Sequence, residues 1–135
     1  MSIILNIETS LPEAGVSISC DGLMLQHLTN PVQKEHASFL HIAIREILEK
    51  SNLQIHDIDA VAVSSGPGSY TGIRVGFAAA KGLCFALKKP MISIGTLEMM
   101  AQAAALETGK EKDFLYCPMI DARRSEALQH CIRHD

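Results

Sequence analysis

The chain contains no tryptophan, and aromatic residues make up only 4% of its 135 residues, whereas hydrophobic residues make up 47%. A chain of this length suffices for one compact domain, and this composition predicts an aliphatic, alanine-rich core. The net charge is −3, and no cluster of lysine or arginine accompanies it. The composition therefore argues against strong binding of nucleic acid by this chain alone.

Membrane spans and targeting features are missing from the sequence as well. No apolar stretch is long enough to cross a bilayer, and residues 1–6 lack the basic segment of a signal peptide. The four cysteines show no zinc-type or thioredoxin-type spacing, and three of them lie in apolar runs that indicate buried thiols: Cys20, Cys84 and Cys117. We expect a soluble, cytoplasmic protein.

A glycine-rich segment from Ser64 to Gly76 is the most informative motif. It follows an apolar run at 60–63, typical of a buried strand, and leads into a predicted helix at 71–88. It has neither the Gly-Lys-Ser/Thr ending of a Walker loop nor the Gly-x-Gly-x-x-Gly pattern of dinucleotide-binding proteins. We predict a structural turn formed by Gly66, Pro67, Gly68, Ser69, Tyr70 and Thr71.

The predicted helix at 71–88 is apolar around most of its circumference, with Arg74, Lys81 and Lys88 on one narrow line. Its glycines cost roughly 1 kcal/mol each relative to alanine. That cost is understandable if Gly72 and Gly76 allow a second backbone to come close, either a partner's or another segment of the same domain.

The predicted helix at 35–51 also has an apolar arc wider than the roughly 100° of an ordinary surface helix. An ordinary amphipathic helix with one stray isoleucine remains the alternative for this helix alone. Together the two helices predict a partner interface, used for a homodimer when no other partner is present. Its predicted residues are Phe39, Ile42, Ala43, Glu46, Gly72, Ile73, Arg74, Gly76, Phe77, Ala80 and Lys81.

The order of elements predicts a mixed α/β sheet of the ribonuclease H kind. Strands at 3–8, 15–19 and 23–28 form a meander, with a hairpin turn at Asp21 and Gly22. The helix at 35–51, a strand at 60–64, the helix at 71–88, a strand at 91–94 and a helix at 97–106 follow. A charged segment at 109–113 precedes a strand at 115–120. We therefore expect a first lobe at 1–110 and the start of a second at 111–135.

Three segments make the chain resemble the bacterial TsaB (YeaZ) family over about residues 1 to 126: Ile7-Glu8-Thr9-Ser10, the run Ser65–Gly76, and Ile120-Asp121-Ala122-Arg123-Arg124. The resemblance implies an actin-like lobe of the superfamily that includes sugar kinases and heat-shock ATPases. It also implies a non-catalytic scaffold or activating subunit in the N6-threonylcarbamoyladenosine modification of tRNA position 37. By resemblance, the expected partners are TsaD and the ATPase TsaE, with tRNA reached only through the complex.

The histidines and the segment after Glu8 are consistent with a chain that does not catalyse a reaction by itself. His36 and His41 are five positions apart and cannot share an ion as an i, i+4 pair would, and the His130, Cys131 and His134 group lacks a second half-site. The segment after Glu8 lacks the glycine expected beside a phosphate. We expect no catalytic or metal residues and no cofactor bound strongly by this chain alone, with ATP or ADP possible at the interface of the complex.

Two enzyme alternatives stay open from the sequence: a nucleotide phosphohydrolase or kinase of the same superfamily acting alone, and a stand-alone peptidase. Neither has a recognisable nucleophile and base. The family pattern is lost after Glu126, which leaves a natural truncation, a reading-frame change or an artificial end as alternatives. We expect the strand at 115–120 to pair with the first lobe, to pair with another copy or to be poorly ordered.

Overall fold

A five-stranded sheet forms the centre of the protein. The computed structural model describes residues 1–32, 35–108, 115–123 and 126–133, and for His36, Arg123 and Arg133 it describes the backbone alone. The sheet has the order β3-β2-β1-β4-β5. Its strands are β1 (Ile3–Glu8), β2 (Ala14–Cys20), β3 (Leu23–Asn30), β4 (Ala60–Ser64) and β5 (Met91–Ile94).

The first three strands form the predicted antiparallel meander. Residues of β1 and β2 alternate between buried and half-buried, because successive side chains point to opposite faces of a sheet. Asp21 and Gly22 both have positive φ angles, 48° and 83°, as a tight two-residue hairpin turn requires. The prediction of a hairpin at this dipeptide is therefore confirmed.

Strands β4 and β5 continue the sheet in parallel fashion beside β1. Parallel neighbours need a crossover connection, which a helix supplies. Helix α1 (His36–Lys50) leads from β3 toward β4, α2 (Tyr70–Leu87) joins β4 to β5, and α3 (Thr96–Glu107) follows β5. This arrangement confirms the predicted mixed sheet with flanking helices.

The core lies between one face of the sheet and the helices α1 and α2. Ile3, Leu5 and Ile7 of β1 meet the buried positions of α1, which include Leu40 and Ile47. These positions recur at helical spacing, as expected for an amphipathic helix that covers a sheet. Among the described helices, none is both long and apolar enough to cross a membrane.

A separate antiparallel hairpin follows the sheet. It consists of β6 (Leu115–Tyr116), β7 (Met119–Arg123), β8 (Glu126–Gln129) and β9 (Ile132–Arg133), where β6 pairs with β9 and β7 with β8. The strand predicted at 115–120 is thus interrupted at Cys117 and Pro118. It pairs within its own hairpin, which the three predicted alternatives did not include. The boundary predicted between residues 110 and 111 lies outside the described residues, which stop at 108 and resume at 115.

Asp59 ties the start of β1 to the loop before β4. Its Oδ2 accepts a hydrogen bond from the Ile3 amide at 2.9 Å, and its Oδ1 lies 3.5 Å from Lys89 Nζ. The hydrogen bond from Ile3, together with Lys89, holds the pKa of this carboxyl below its usual value despite some desolvation. Ionised Asp59 therefore favours the folded state at neutral pH.

We predict that the stabilisation by ionised Asp59 is lost on acidification. A carboxyl whose pKa is lower in the folded state stabilises the fold fully above its unfolded-state pKa. That stabilisation disappears as the pH falls through the folded-state pKa. Asp59→Asn should lower the thermal midpoint at pH 7, and the difference from the parent chain should shrink in acid. The measurement is thermal unfolding between pH 7 and pH 3. A difference that stays constant across this range contradicts the assignment.

Candidate functional site

The glycine-rich segment connects β4 to α2 and is fixed at both ends. Ser69 is the N-cap of α2, and its Oγ accepts a hydrogen bond from the Gly72 amide at 3.2 Å. The Ser69 amide donates to the carbonyl of Ser10 at 2.7 Å, and the carbonyl of Gly66 accepts from the Thr96 amide at 2.8 Å. The connection is thus bonded to the segment after β1 and to the start of α3, as expected of a structural turn.

The predicted turn residues fall into two groups. Gly66, Pro67, Gly68 and Ser69 form the connection itself, and the Gly66–Pro67 peptide bond is cis. Tyr70 and Thr71 are instead the first two residues of α2, where both are exposed. The residues predicted to form the turn therefore extend into the first two positions of the helix.

Gly72 and Gly76 lie against the segment after β1, and both are buried. A Cβ on Gly72 would overlap the carbonyl oxygen of Thr9, and one on Gly76 would overlap Thr9 Oγ1. The close backbone approach that the glycines permit is thus made by Thr9 of the same chain. This is the intradomain alternative, and it removes both glycines from the predicted partner interface.

Two alanines of the predicted interface are also unavailable to a partner. Ala43 of α1 is buried, and Ala80 of α2 is completely buried, because both face the core between the helices and the sheet. A helical wheel identifies an apolar arc but does not divide it between core and surface. These residues therefore belong to the packing of α1 and α2 on the sheet.

The remaining predicted interface residues keep some exposed surface. Ile42, Glu46, Arg74 and Lys81 are exposed, whereas Phe39, Ile73 and Phe77 are half-buried. Of these three, Phe39 and Phe77 also pack against the core. Glu46 forms an ion pair with Lys50 at 2.7 Å on its own helix.

An outward line of α2 combines aromatic rings with cations. Arg74 donates a hydrogen bond to the Tyr70 hydroxyl at 3.1 Å, and its guanidinium lies 5.3 Å from the centre of that ring. Lys81 Nζ lies 5.8 Å from the centre of the Phe77 ring. Such cation–π contacts hold charged side chains along an apolar surface. We call Tyr70, Arg74, Phe77, Lys81 and Phe85 the outer face of α2.

Phe85 is the exposed residue that the sequence prediction missed. Its side chain is 90% exposed, the highest value among the large hydrophobic residues of the described chain, and Tyr70 reaches 73%. The wheel position could have identified it, because Phe85 lies within about 20° of Arg74 on a regular helix. On α1, Ile42 is 56% exposed. A line that carries cations and a phenylalanine is typical of a surface that contacts another molecule.

A polar network holds the carboxyl ends of the central strands together. Glu8 Oε1 accepts hydrogen bonds from the Ser10 amide at 2.6 Å, from Ser10 Oγ at 2.5 Å and from Ser64 Oγ at 2.9 Å. Thr96 Oγ1 donates to Ser10 Oγ at 3.0 Å. The second oxygen, Glu8 Oε2, is buried and has no hydrogen-bond partner among the described residues. The network gives Glu8 a structural role at the junction of β1, β4 and the start of α3.

A cavity of about 830 Å³ adjoins the start of α2. One wall comes from the segment after β1 and the first turns of α2, and the hairpin of β7 and β8 contributes the other. Its lining includes Ser10, Leu11, Tyr70, Val75, Ile120 and Leu128. The cavity thus lies between the sheet unit and the hairpin, beside the outer face of α2.

Metal and phosphate sites find little support in the described part of the chain. There, no group of three His, Cys, Asp or Glu side chains could hold a metal ion. His41 is exposed, Cys131 is bonded to Cys117, and His134 lies outside the described residues. The backbone after β1 is engaged with α2, because the Ser10 carbonyl accepts from Ser69 and a Cβ on Gly68 would overlap it. The segment after β1 is thus packed closely against the start of α2.

Comparison with known proteins matches residues 30–130 to the family model described as TsaD, tRNA N6-adenosine threonylcarbamoyltransferase. The tRNA threonylcarbamoyladenosine biosynthesis protein TsaB of Escherichia coli K12 is 35% identical to the chain over 123 residues, which are 91% of this chain and 52% of that protein. The chain spans about half the length of the curated relatives it matches.

Solved structures agree with this relationship. The structure titled YeaZ from Pseudomonas aeruginosa superposes with a TM-score of 0.90 at 30% identity, covering 100% of this chain and 62% of that one. Thermus thermophilus RuvC, in complex with a Holliday junction substrate, superposes with a TM-score of 0.51 at 16% identity, covering 77% of this chain and 69% of that one, and this shows the fold alone. The sequence matches and the YeaZ superposition together show that the chain belongs to the TsaB (YeaZ) family, within the group that the TsaD model describes.

Proposed function

We propose that the chain is a non-catalytic scaffold or activating subunit for N6-threonylcarbamoyladenosine modification of tRNA at position 37. In this proposal it pairs with TsaD through α1 and α2, TsaE joins the pair, and tRNA is reached only through the complex. It forms a homodimer when TsaD is absent. The observation that carries the proposal is the exposed apolar and cationic surface on two neighbouring helices, in a chain whose relatives are named for this pathway.

The outer face of α2 has the composition of a protein-binding surface. Aromatic residues and arginine are enriched where proteins bind one another, and a few anchor residues, often Trp, Tyr or Arg, supply most of the binding energy. Phe85 and Tyr70 are more than two-thirds exposed, and Arg74 lies over the Tyr70 ring. Ile42 adds apolar surface on α1, which contacts α2.

The same chain offers little chemistry of its own. Glu8 is engaged by Ser10 and Ser64, and the backbone after β1 is bonded to the start of α2. An ATPase or kinase needs backbone donors that are free to approach phosphate. We therefore propose that ATP or ADP binds only where the complex closes over this region, and that the isolated chain has no phosphohydrolase activity.

The decisive experiment is reconstitution of tRNA modification with and without this chain. The other components are TsaD, TsaE and TsaC, the separate enzyme that supplies the threonylcarbamoyl-adenylate donor in this family's pathway. Modified adenosine is measured by mass spectrometry of digested tRNA. Modification that depends on the chain supports the proposal, as does co-purification of the chain with TsaD. Equal modification in its absence contradicts the proposal, and ATP hydrolysis by the isolated chain would favour the enzyme alternative.

We predict that Phe85→Asp weakens association with TsaD at least about tenfold, as expected for the loss of a binding hot spot. The measurement is titration calorimetry or co-purification at fixed concentrations. Leu106→Asp is the matched control, because Leu106 is an exposed apolar residue on α3, outside the predicted interface. Equal losses in the two variants, or no loss in Phe85→Asp, would remove the outer face of α2 from the interface.

A further inference from the structure

Cys117 and Cys131 oppose each other in the C-terminal hairpin. Tyr116 pairs with Ile132. Cys117 is the next residue after Tyr116, and Cys131 is the residue before Ile132. Met119 pairs with Gln129. Cys117 lies two residues before Met119, and Cys131 lies two residues after Gln129. The pairing of β6 with β9 and that of β7 with β8 therefore share one register, and the cysteines occupy its central interruption.

The two cysteines are close enough for a covalent cross-link. Their Cα atoms are 4.2 Å apart, near the roughly 4.5 Å between opposed residues that exchange no backbone hydrogen bonds in an antiparallel pair. The structure joins them by a disulfide. This pairing corrects the prediction that Cys117 is a buried thiol, whereas Cys20 and Cys84 are free and half-buried.

The hairpin is a two-stranded unit outside the five-stranded sheet. An isolated two-stranded hairpin is marginally stable in water. Several of its apolar side chains remain exposed rather than packed, namely those of Leu115, Met119 and Leu128. Tyr116 shares a hydrogen bond with Thr108 at 2.6 Å, which attaches the base of the hairpin to the end of α3. A cross-link between its two strands therefore stabilises the hairpin.

We propose that Cys117 and Cys131 form a reversible disulfide that controls the order of the C-terminal hairpin. Ile120 and Leu128 of this hairpin line the cavity beside α2, so the disulfide also controls that wall. Cys131 is exposed and Cys117 half-buried, which leaves the pair accessible to small thiols and disulfides. Its state then follows the redox poise of the surroundings.

The reaction is thiol–disulfide exchange with a small disulfide of the glutathione class. The Cys131 thiolate attacks one sulfur of the small disulfide and releases one small thiolate. The Cys117 thiolate then attacks Cys131 Sγ in the mixed disulfide and releases the second. The protons of the two cysteines end on the two released thiols. The protein pair is oxidised, and the small disulfide is reduced to two thiols.

The test compares the full chain equilibrated with oxidised or with reduced glutathione. Peptide mapping without reductant should show a cross-linked peptide that contains Cys117 and Cys131, while Cys20 and Cys84 remain alkylatable. Trypsin cleavage after Arg123, the last residue of β7, is followed by mass spectrometry and reports opening of the hairpin. Closing a loop of this length should slow that cleavage by roughly tenfold to a hundredfold in the oxidised form.

Two variants isolate the effect. Cys131→Ser should be cleaved at the same rate in both glutathione states, and Cys20→Ser should respond as the parent chain does. Burial raises the pKa of the Cys84 thiol, which makes it a slow competitor in the exchange. A cross-link that joins other cysteines overturns the proposal. So does alkylation of all four thiols after oxidation, or a cleavage rate that is independent of redox state.

Discussion

Gly72→Ala should destabilise the isolated chain by about 3 kcal/mol, at the upper end of the usual cost of overpacking a buried site. The added Cβ would overlap the carbonyl oxygen of Thr9 and approach the capping hydroxyl of Ser69 at 3.2 Å. A backbone carbonyl cannot rotate away as the end of a side chain can, so α2 or the segment after β1 must move. The measurement is urea unfolding of the purified chain.

Gly82→Ala is the matched control on the same helix. Apart from its chain neighbours and the backbone of its own helix, no atom of the described residues lies within 4 Å of a Cβ added at Gly82. Alanine should therefore stabilise the chain by about 1 kcal/mol through its higher helix propensity. If Gly72→Ala matches Gly82→Ala in stability, the close contact with Thr9 is not present. The comparison also shows that a glycine substitution in the first turns of α2 cannot test partner binding, because it disturbs the fold first.

Glu8→Ala should lower the free energy of unfolding by about 3 kcal/mol, because buried donors that lose a charged acceptor each cost about 1–3 kcal/mol. The donors are the Ser10 amide and the hydroxyls of Ser10 and Ser64, and both serines are buried. Removing the carboxylate leaves these groups without their acceptor where β1, β4 and α3 meet. Denaturant unfolding of the isolated chain measures the loss.

Two further variants separate the causes. Glu8→Gln keeps an oxygen for the same donors and should retain more than half of the lost stability. Glu13→Ala removes an exposed carboxylate from the connection between β1 and β2 and should change stability little. If Glu8→Ala unfolds like the parent chain but abolishes modification in the reconstituted system, Glu8 acts in chemistry rather than in structure.

The sequence predicted the sheet well because its signals are local. Alternation of apolar residues in β1 and β2, the Asp21-Gly22 turn and the helical stripe of α1 each depend on neighbouring positions. The bounds of α1 and α2 were predicted to within one residue at either end. Such patterns are imposed by covalent geometry and by one buried face, and they need no knowledge of distant contacts.

The interface residues were harder to predict, because burial depends on packing that the sequence does not display. Gly76, Ala80 and Phe85 all belong to the apolar pattern of the sequence. Gly76 and Ala80 nevertheless face the sheet, whereas Phe85 faces solvent. The wheel arc of α2 is apolar on both sides, so periodicity alone cannot say which side meets β1 and β4. Cys117 and Cys131 pair because the register of the hairpin places them opposite each other. Their positions in the sequence do not reveal that register.

The contact of Arg74 with Tyr70, and that of Lys81 with Phe77, has an entropic consequence for recognition. Long cationic side chains normally lose rotamer freedom when a complex forms, at a cost of about 0.5–1.5 kcal/mol each. Here each cation already rests on a ring of its own helix, so part of that freedom is given up during folding. A carboxylate arriving from outside therefore meets charges whose positions are largely set in advance.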